Sequence, residues 1–134
     1  IMPYLYVRIA GDADPALAER IATDLLAITS NVLGKREAVT SISVDFVPAS
    51  MWFIGGSRVA DEEPATFYLN IKITEGTNTK DQKAAYVGKV FAAMQASIGP
   101  LAAASYIVID DVRADAWGFE GQTQEQRYIA AKAL

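Results

Sequence analysis

The chain contains no cysteine and no histidine among its 134 residues. The first absence excludes disulfides, thiolate nucleophiles and thiolate-bound zinc. The second removes the commonest general base near neutral pH and the commonest metal ligand. Any proton chemistry then falls to Asp, Glu, Lys, Tyr or a chain terminus. Of these, an α-amino group, ordinarily titrating at about 7.7–8.0, lies closest to working pH. No apolar run approaches the ~20 residues needed to span a bilayer, and no charged-then-apolar leader opens the chain, so a cytoplasmic location is expected. A net charge of −4 and a pI near 4.7, with the basic residues scattered, argue against a nucleic-acid or membrane partner.

What is present is an ordinary globular composition, 51% apolar and 21% charged. Within it lies a repeat. YLYVRI (Tyr4 to Ile9) lines up with YLNIKI (Tyr68 to Ile73). Both alternate, with Leu5, Val7 and Ile9 matching Leu69, Ile71 and Ile73, the pattern of a strand with one face on a core. The stretch Pro15 to Gly34 carries apolar residues at Leu17, Ile21, Leu25, Ile28 and Val32, a helical stripe behind Asp14 and ended by glycine. Its counterpart runs from the N-cap candidate Thr79 to Gly99, with Tyr86, Val90, Ala93 and Ile98 turned inward. SISVDFVPASMWFIGG (Ser41 to Gly56) then matches YIVIDDVRADAWGFEG (Tyr106 to Gly121), pairing Val47 with Val112 and Trp52 with Trp117.

The chain thus reads as β-α-β twice, joined by DEEPAT (Asp61 to Thr66). We expect a single domain over residues 1–134, built from repeats at 3–60 and 66–121 with a C-terminal tail at 122–134. Right-handed crossovers make the two strands of each repeat parallel. The resulting fold class is α+β: one four-stranded mixed sheet with two helices on one face. The other face, bearing Tyr4, Tyr6 and Tyr68, calls for cover by partner subunits. The glycine-rich ends suit short hairpin ribbons. The repeat by itself also fits a ferredoxin-like protein or a dimeric α+β barrel, whose enzymes often lean on histidine.

Pro3 admits two readings. Proline is tolerated at the first residue of a strand, where its missing N–H harms no ladder. As a chain terminus it would instead be a secondary amine able to take a proton. These residues together resemble the tautomerase superfamily, whose β-α-β units start at an amino-terminal proline and which includes 4-oxalocrotonate tautomerase and macrophage migration inhibitory factor. ITEGTNTKDQK (Ile73 to Lys83) is similar to the matching stretch of 4-oxalocrotonate tautomerase, and VPASMWFIGGS (Val47 to Ser57) resembles both proteins. The resemblance covers Pro3 to about Gly121. It implies a fused tautomerase fold, a homotrimer with pockets between subunits, no cofactor and no metal, and Pro3 as catalytic base. Phe67 stands at the matching place in the second repeat, so one site per chain follows.

The resemblance also implies substrate-binding roles at particular positions. Lys35 matches a pocket lysine; otherwise it is a helix-end cation favoured by the dipole. Tyr106 matches a pocket tyrosine, with interface filling as the alternative. Trp117 and Phe119 fall where relatives carry rim aromatics or plain interface packing, and Lys72 would face the same cavity. The chain departs from the family's arginines, which are replaced by Thr77, by Ser41 and Tyr106, and by Gly76, Asn78 and Thr74. That weakens dicarboxylate binding and any decarboxylase or dehalogenase activity.

The expectation is an isomerase: a cofactor-independent keto–enol tautomerase acting on a small 2-oxo or 2-hydroxyalkenoate. Lys35 would hold the carboxylate. The alternative is a catalytically idle trimer that binds through the same pocket. Either way Pro3 must be the mature terminus, because Ile1 and Met2 would convert its nitrogen to an amide.

Overall fold

The computed structural model of the chain describes residues 3–61 and 64–132. Ile1 and Met2, which decide the state of the Pro3 nitrogen, and the middle of the DEEPAT joint lie outside the described residues. The first repeat comprises β1 (Tyr4–Ala10), α1 (Pro15–Leu33) and β2 (Ser41–Val47), then a ribbon of β3 (Phe53–Ile54) and β4 (Ser57–Arg58). The second comprises β5 (Phe67–Thr74), α2 (Lys80–Ile98) and β6 (Tyr106–Val112), then β7 (Gly118–Phe119) and β8 (Gln122–Thr123). A third helix, α3 (Gln124–Lys132), follows in the tail that sequence reading left without structure.

Local chemistry sets the helix ends. The Asp14 carboxylate accepts from the Leu17 N–H at 3.1 Å, Pro15 occupies the first turn, and Gly34 closes α1 with φ 69°, a left-handed conformation that suits glycine. Thr79 and Gln82 form a reciprocal capping box at the start of α2.

The sheet runs β2-β1-β5-β6, with β1 parallel to β2, β5 parallel to β6, and β1 antiparallel to β5. Leu5, Val7 and Ile9 join Leu69, Ile71 and Ile73 on the face that α1 and α2 cover. Each such side chain contributes about 1.5–3 kcal/mol by leaving water. The buried row of α1 is Ile21, Leu25, Thr29 and Leu33, with Leu17, Ile28 and Val32 on its flank. In α2 the buried row is Tyr86, Val90 and Met94, an i, i+4 series, so Met94 takes the central place expected of Ala93. Thr29 is tolerated in the core because its hydroxyl lies 2.8 Å from the Tyr86 hydroxyl.

The repeat extends to the backbone. Gly11 N–H donates to Val47 O at 2.8 Å, as Glu75 N–H does to Val112 O at 2.9 Å. Val59 N–H donates to Trp52 O at 2.8 Å, as Gln124 N–H does to Trp117 O at 3.0 Å. The two halves are related by a pseudo-two-fold axis between β1 and β5. The helix-free face carries Tyr4, Tyr6, Arg8, Tyr68, Asn70 and Lys72, each half-buried or exposed. Among the described residues, no helix is long and apolar enough to cross a membrane.

Candidate functional site

The pseudo-two-fold axis gives the sheet two equivalent ends, and the chain furnishes them differently. At one end β1 starts and β5 finishes. Pro3 is buried there, its carbonyl accepting from the Ser41 N–H at 3.3 Å. Because Tyr4 pairs with Lys72, continuing the register sets Pro3 beside Ile73 and Thr74. Lys35, directly after the Gly34 cap, reaches the same end from the helix side. It is 2% exposed, and its Nζ donates to Thr77 Oγ1 at 3.0 Å. The Thr77 hydroxyl in turn donates to Thr74 O at 2.6 Å, while Trp117 Nε1 donates to Thr74 Oγ1 at 3.2 Å. Thr74, Thr77, Gln124, Arg127, Tyr128 and Ile129 line a cavity of about 770 Å³ there, formed partly by α3. The Arg127 guanidinium lies 4.5 Å from the centre of the Phe119 ring, tying that aromatic to the same wall.

The opposite end is apolar at the matching places. Phe67 replaces Pro3 and is fully buried against Phe91. Pro100 follows the Gly99 cap where Lys35 follows Gly34. Ala10 stands for Thr74 and Val59 for Gln124, and the corresponding cavity of about 680 Å³ is lined by Ala10, Ala49, Val59, Ile98 and Pro100. One architecture therefore carries a polar end and an apolar end.

Burial pulls the Lys35 ammonium down to about 8 from its ordinary 10.5, with the Asp111 carboxylate opposing that shift. This buried lysine is therefore a cation that releases its proton near neutral pH.

Of the residues singled out from the sequence, Pro3, Lys35, Trp117 and Phe119 gather at the polar end. Lys72 lies on the helix-free face, in an ion pair with Asp110 at 2.7 Å. That pair holds the Asp110 carboxyl below its usual range through the Lys72 hydrogen bond and charge. Tyr106 pairs with Tyr68, and Tyr68 with Arg8, which puts it at the far end of the sheet. Arg8 is five residues along β1 from Pro3, roughly 17 Å at about 3.4 Å per residue. Tyr106 is 62% exposed and lines a separate cavity. Sequence reading passed over Thr77, Thr74 and Gln124 as contributors to the polar end. Their signal was the mismatch between repeats, polar in the second and apolar in the first at Thr74/Ala10 and Gln124/Val59.

Residues 68–127 match a family model described as tautomerase enzyme. No curated protein sequence gives a significant match. Among solved structures, native fused 4-OT superposes with a TM-score of 0.82 at 21% identity, covering 92% of this chain and 97% of that one. A fused 4-OT described as a wild-type symmetric trimer gives 0.79 at 20% identity, covering 91% and 96%. A macrophage migration inhibitory factor-like protein from Entamoeba histolytica gives 0.75 at 18% identity, covering 92% and 99%. At these identities the structural likeness is one of fold. The second β-α-β unit thus matches the tautomerase family model, and the chain shares the fold of the fused 4-OT structures over nine-tenths of its length.

Proposed function

We propose that the protein is a cofactor-independent keto–enol tautomerase in which Pro3, as the amino-terminal residue, is the general base toward a small 2-oxo or 2-hydroxyalkenoate. The observation that carries this reading is the asymmetry of the two sheet ends. The end where Pro3 stands carries Lys35, Thr74, Thr77 and Gln124, while its pseudo-equivalent carries Pro100, Ala10 and Val59.

The chemistry follows from the groups present. A neutral proline nitrogen takes the hydroxyl proton of a 2-hydroxyalkenoate. The resulting prolinium returns that proton to C3, leaving the 2-oxo acid with no net change in atoms or charge. Buried surroundings and the Lys35 cation both disfavour the prolinium and keep the base available. Lys35 also stabilises the negative charge that develops on the substrate oxygen or its carboxylate. Trp117 and Phe119 supply an apolar rim. Gly76 and Asn78, where decarboxylase and dehalogenase relatives carry paired arginines, weaken those two activities, and Thr77, where 4-oxalocrotonate tautomerase has an arginine, favours a monocarboxylate over a dicarboxylate.

We read the working form as a homotrimer. The helix-free face exposes Tyr4, Tyr106 and Val108, and apolar surface of that extent is normally covered by a partner. Fused relatives of the same fold are described as trimers.

The test compares protein beginning at Pro3 with protein retaining Ile1-Met2, each assayed for ketonisation of phenylenolpyruvate. The first should turn over and the second should stay at background, because an amide nitrogen has no basic lone pair at neutral pH. Equal activity in both forms, or full activity after Pro3→Ala, would transfer the base to a carboxylate such as Asp45 or Asp110. An inert Pro3-terminated protein that still binds phenylpyruvate would leave a binding protein of the same fold.

A further inference from the structure

The helix-free face carries two cross-strand rows related by the pseudo-two-fold axis. One is Ser41, Tyr4, Lys72 and Asp110; the other is Asp45, Arg8, Tyr68 and Tyr106. Each row contains one cation and one carboxylate, and only the first row closes them into a pair. Lys72 Nζ donates to Asp110 Oδ2 at 2.7 Å. In the second row Asp45 accepts instead from the Tyr6 hydroxyl at 3.1 Å, and the Arg8 guanidinium forms no hydrogen bond or ion pair among the described residues.

Arg8 is exposed, but it borders a cavity. Arg8, Trp52, Phe53, Tyr68, Ala104 and Tyr106 line a cavity of about 700 Å³. The lining combines four aromatic residues with one cation, and the neighbouring Asp45 carboxylate is hydrogen-bonded to Tyr6. A guanidinium presents a planar fork of N–H donors that matches a carboxylate bidentately, and flat aromatic walls favour a flat ligand body. Asp45, in register beside Arg8, disfavours polyanions and leaves room for a single negative charge.

We propose that this cavity binds the carboxylate of a small planar, aryl-bearing acid, with Arg8 as the anchoring residue and Trp52, Phe53, Tyr68 and Tyr106 as its walls. The proposal rests on the tautomerase reading only for the identity of that acid as substrate. It also accounts for Tyr106, which one chain holds far from Pro3: a neighbouring copy must present the Arg8–Tyr106 end to the Pro3–Lys35 end for one molecule to touch both. Arg8 would then replace the missing family arginines from a different strand.

The experiment titrates phenylpyruvate and its methyl ester into the wild-type protein, Arg8→Met and Arg8→Lys, following quenching of tryptophan fluorescence. Wild type should bind the acid at least about tenfold more tightly than the ester, as a charge-assisted bidentate contact gives. Arg8→Met should lose that preference while ester affinity stays within about twofold, and Arg8→Lys, which keeps the charge but not the fork, should fall between. In the ketonisation assay Arg8→Met should raise KM and leave kcat nearly unchanged. Acid affinity unaltered by Arg8→Met, or acid and ester weakened alike, overturns the proposal. A wild-type protein that ketonises phenylenolpyruvate with a KM indifferent to Arg8 removes this site and keeps the tautomerase reading. One that prefers the acid through Arg8 without turnover does the reverse.

Discussion

Lys35 and Thr77 are joined across the polar end of the sheet. The lysine Nζ donates to the threonine hydroxyl at 3.0 Å, and that hydroxyl directs its own proton to Thr74 O at 2.6 Å. The lysine thus loses its water to burial and regains one neutral hydrogen bond. A neutral acceptor compensates a buried ammonium poorly, which is why the group titrates near 8.

Stability should record that cost. Between about pH 8 and 10.5 the unfolded chain holds the Lys35 proton and the folded chain does not, so this group makes stability rise with pH across the window. Below pH 8 the folded protein bears the whole penalty, up to about 3 kcal/mol. Lys35→Met should therefore raise Tm at pH 7, and the gain should shrink toward pH 10.5. Thr77 keeps its bond to Thr74 O in the variant, so no orphaned hydroxyl obscures the effect. A gain independent of pH would mean that Lys35 titrates alike in the folded and unfolded chains and that its burial costs the ammonium nothing.

Catalysis should record the same charge with opposite consequence. With Lys35 present, kcat/KM should rise as Pro3 loses its proton and fall near pH 8 as Lys35 loses its own. In Lys35→Ala the limb near 8 should vanish, and the proline limb should move to higher pH because a neighbouring cation is gone. An unaltered profile with an unaltered KM would reduce Lys35 to a structural residue.

The fold was legible because its signals are local and doubled. Alternation in YLYVRI and YLNIKI, caps at Asp14 and Thr79, and terminal glycines at Gly34 and Gly99 each fix an element without reference to the rest of the chain. The site was legible only in part. Pro3 and Lys35 stand out as residue types at marked places. The contributions of Thr74, Thr77 and Gln124 depend on which ends of β5 and β7–β8 meet. Arg8 could not be distinguished from Lys72 in sequence, since both are the cation at the same place in the repeat. They differ because Tyr6 takes the Asp45 carboxylate from Arg8 while Asp110 stays with Lys72, a fact about cross-strand neighbours. The helix at 124–132 lies outside the repeat and had no second copy to reveal it.

The buried pair between the helices offers a test of the core. Thr29 and Tyr86 are both fully buried and share a 2.8 Å hydrogen bond, and burial pushes the tyrosine hydroxyl up to about 12. Tyr86→Phe should cost about 1–3 kcal/mol in urea denaturation, because the Thr29 hydroxyl is left unpaired. Adding Thr29→Val should recover much of that loss, giving a favourable coupling in the double-mutant cycle. A Tyr86→Phe protein as stable as its parent would indicate that Thr29 turns back to a carbonyl of its own helix.

The last prediction concerns the assembly. Light scattering should give three times the 14.4 kDa chain mass, and a monomer would remove the shared site. Mass alone does not show that a site is shared, but complementation does. Pro3→Ala chains lack the base and keep Arg8; Arg8→Met chains keep the base and lack the anchor. Assayed separately at substrate concentrations far below the variant KM, Pro3→Ala should be silent and Arg8→Met should keep only about a tenth of the parent rate. When the two are unfolded together and refolded, some trimers set the Pro3 end of an Arg8→Met chain against the Arg8 end of a Pro3→Ala chain. Those sites have every group intact, so the mixture should exceed the sum of its parts. If Pro3 and Arg8 served one site within a single chain, no mixture could restore it, and the activities would only average. Gain on refolding together, and none on simple mixing of folded trimers, is the expected pair of results.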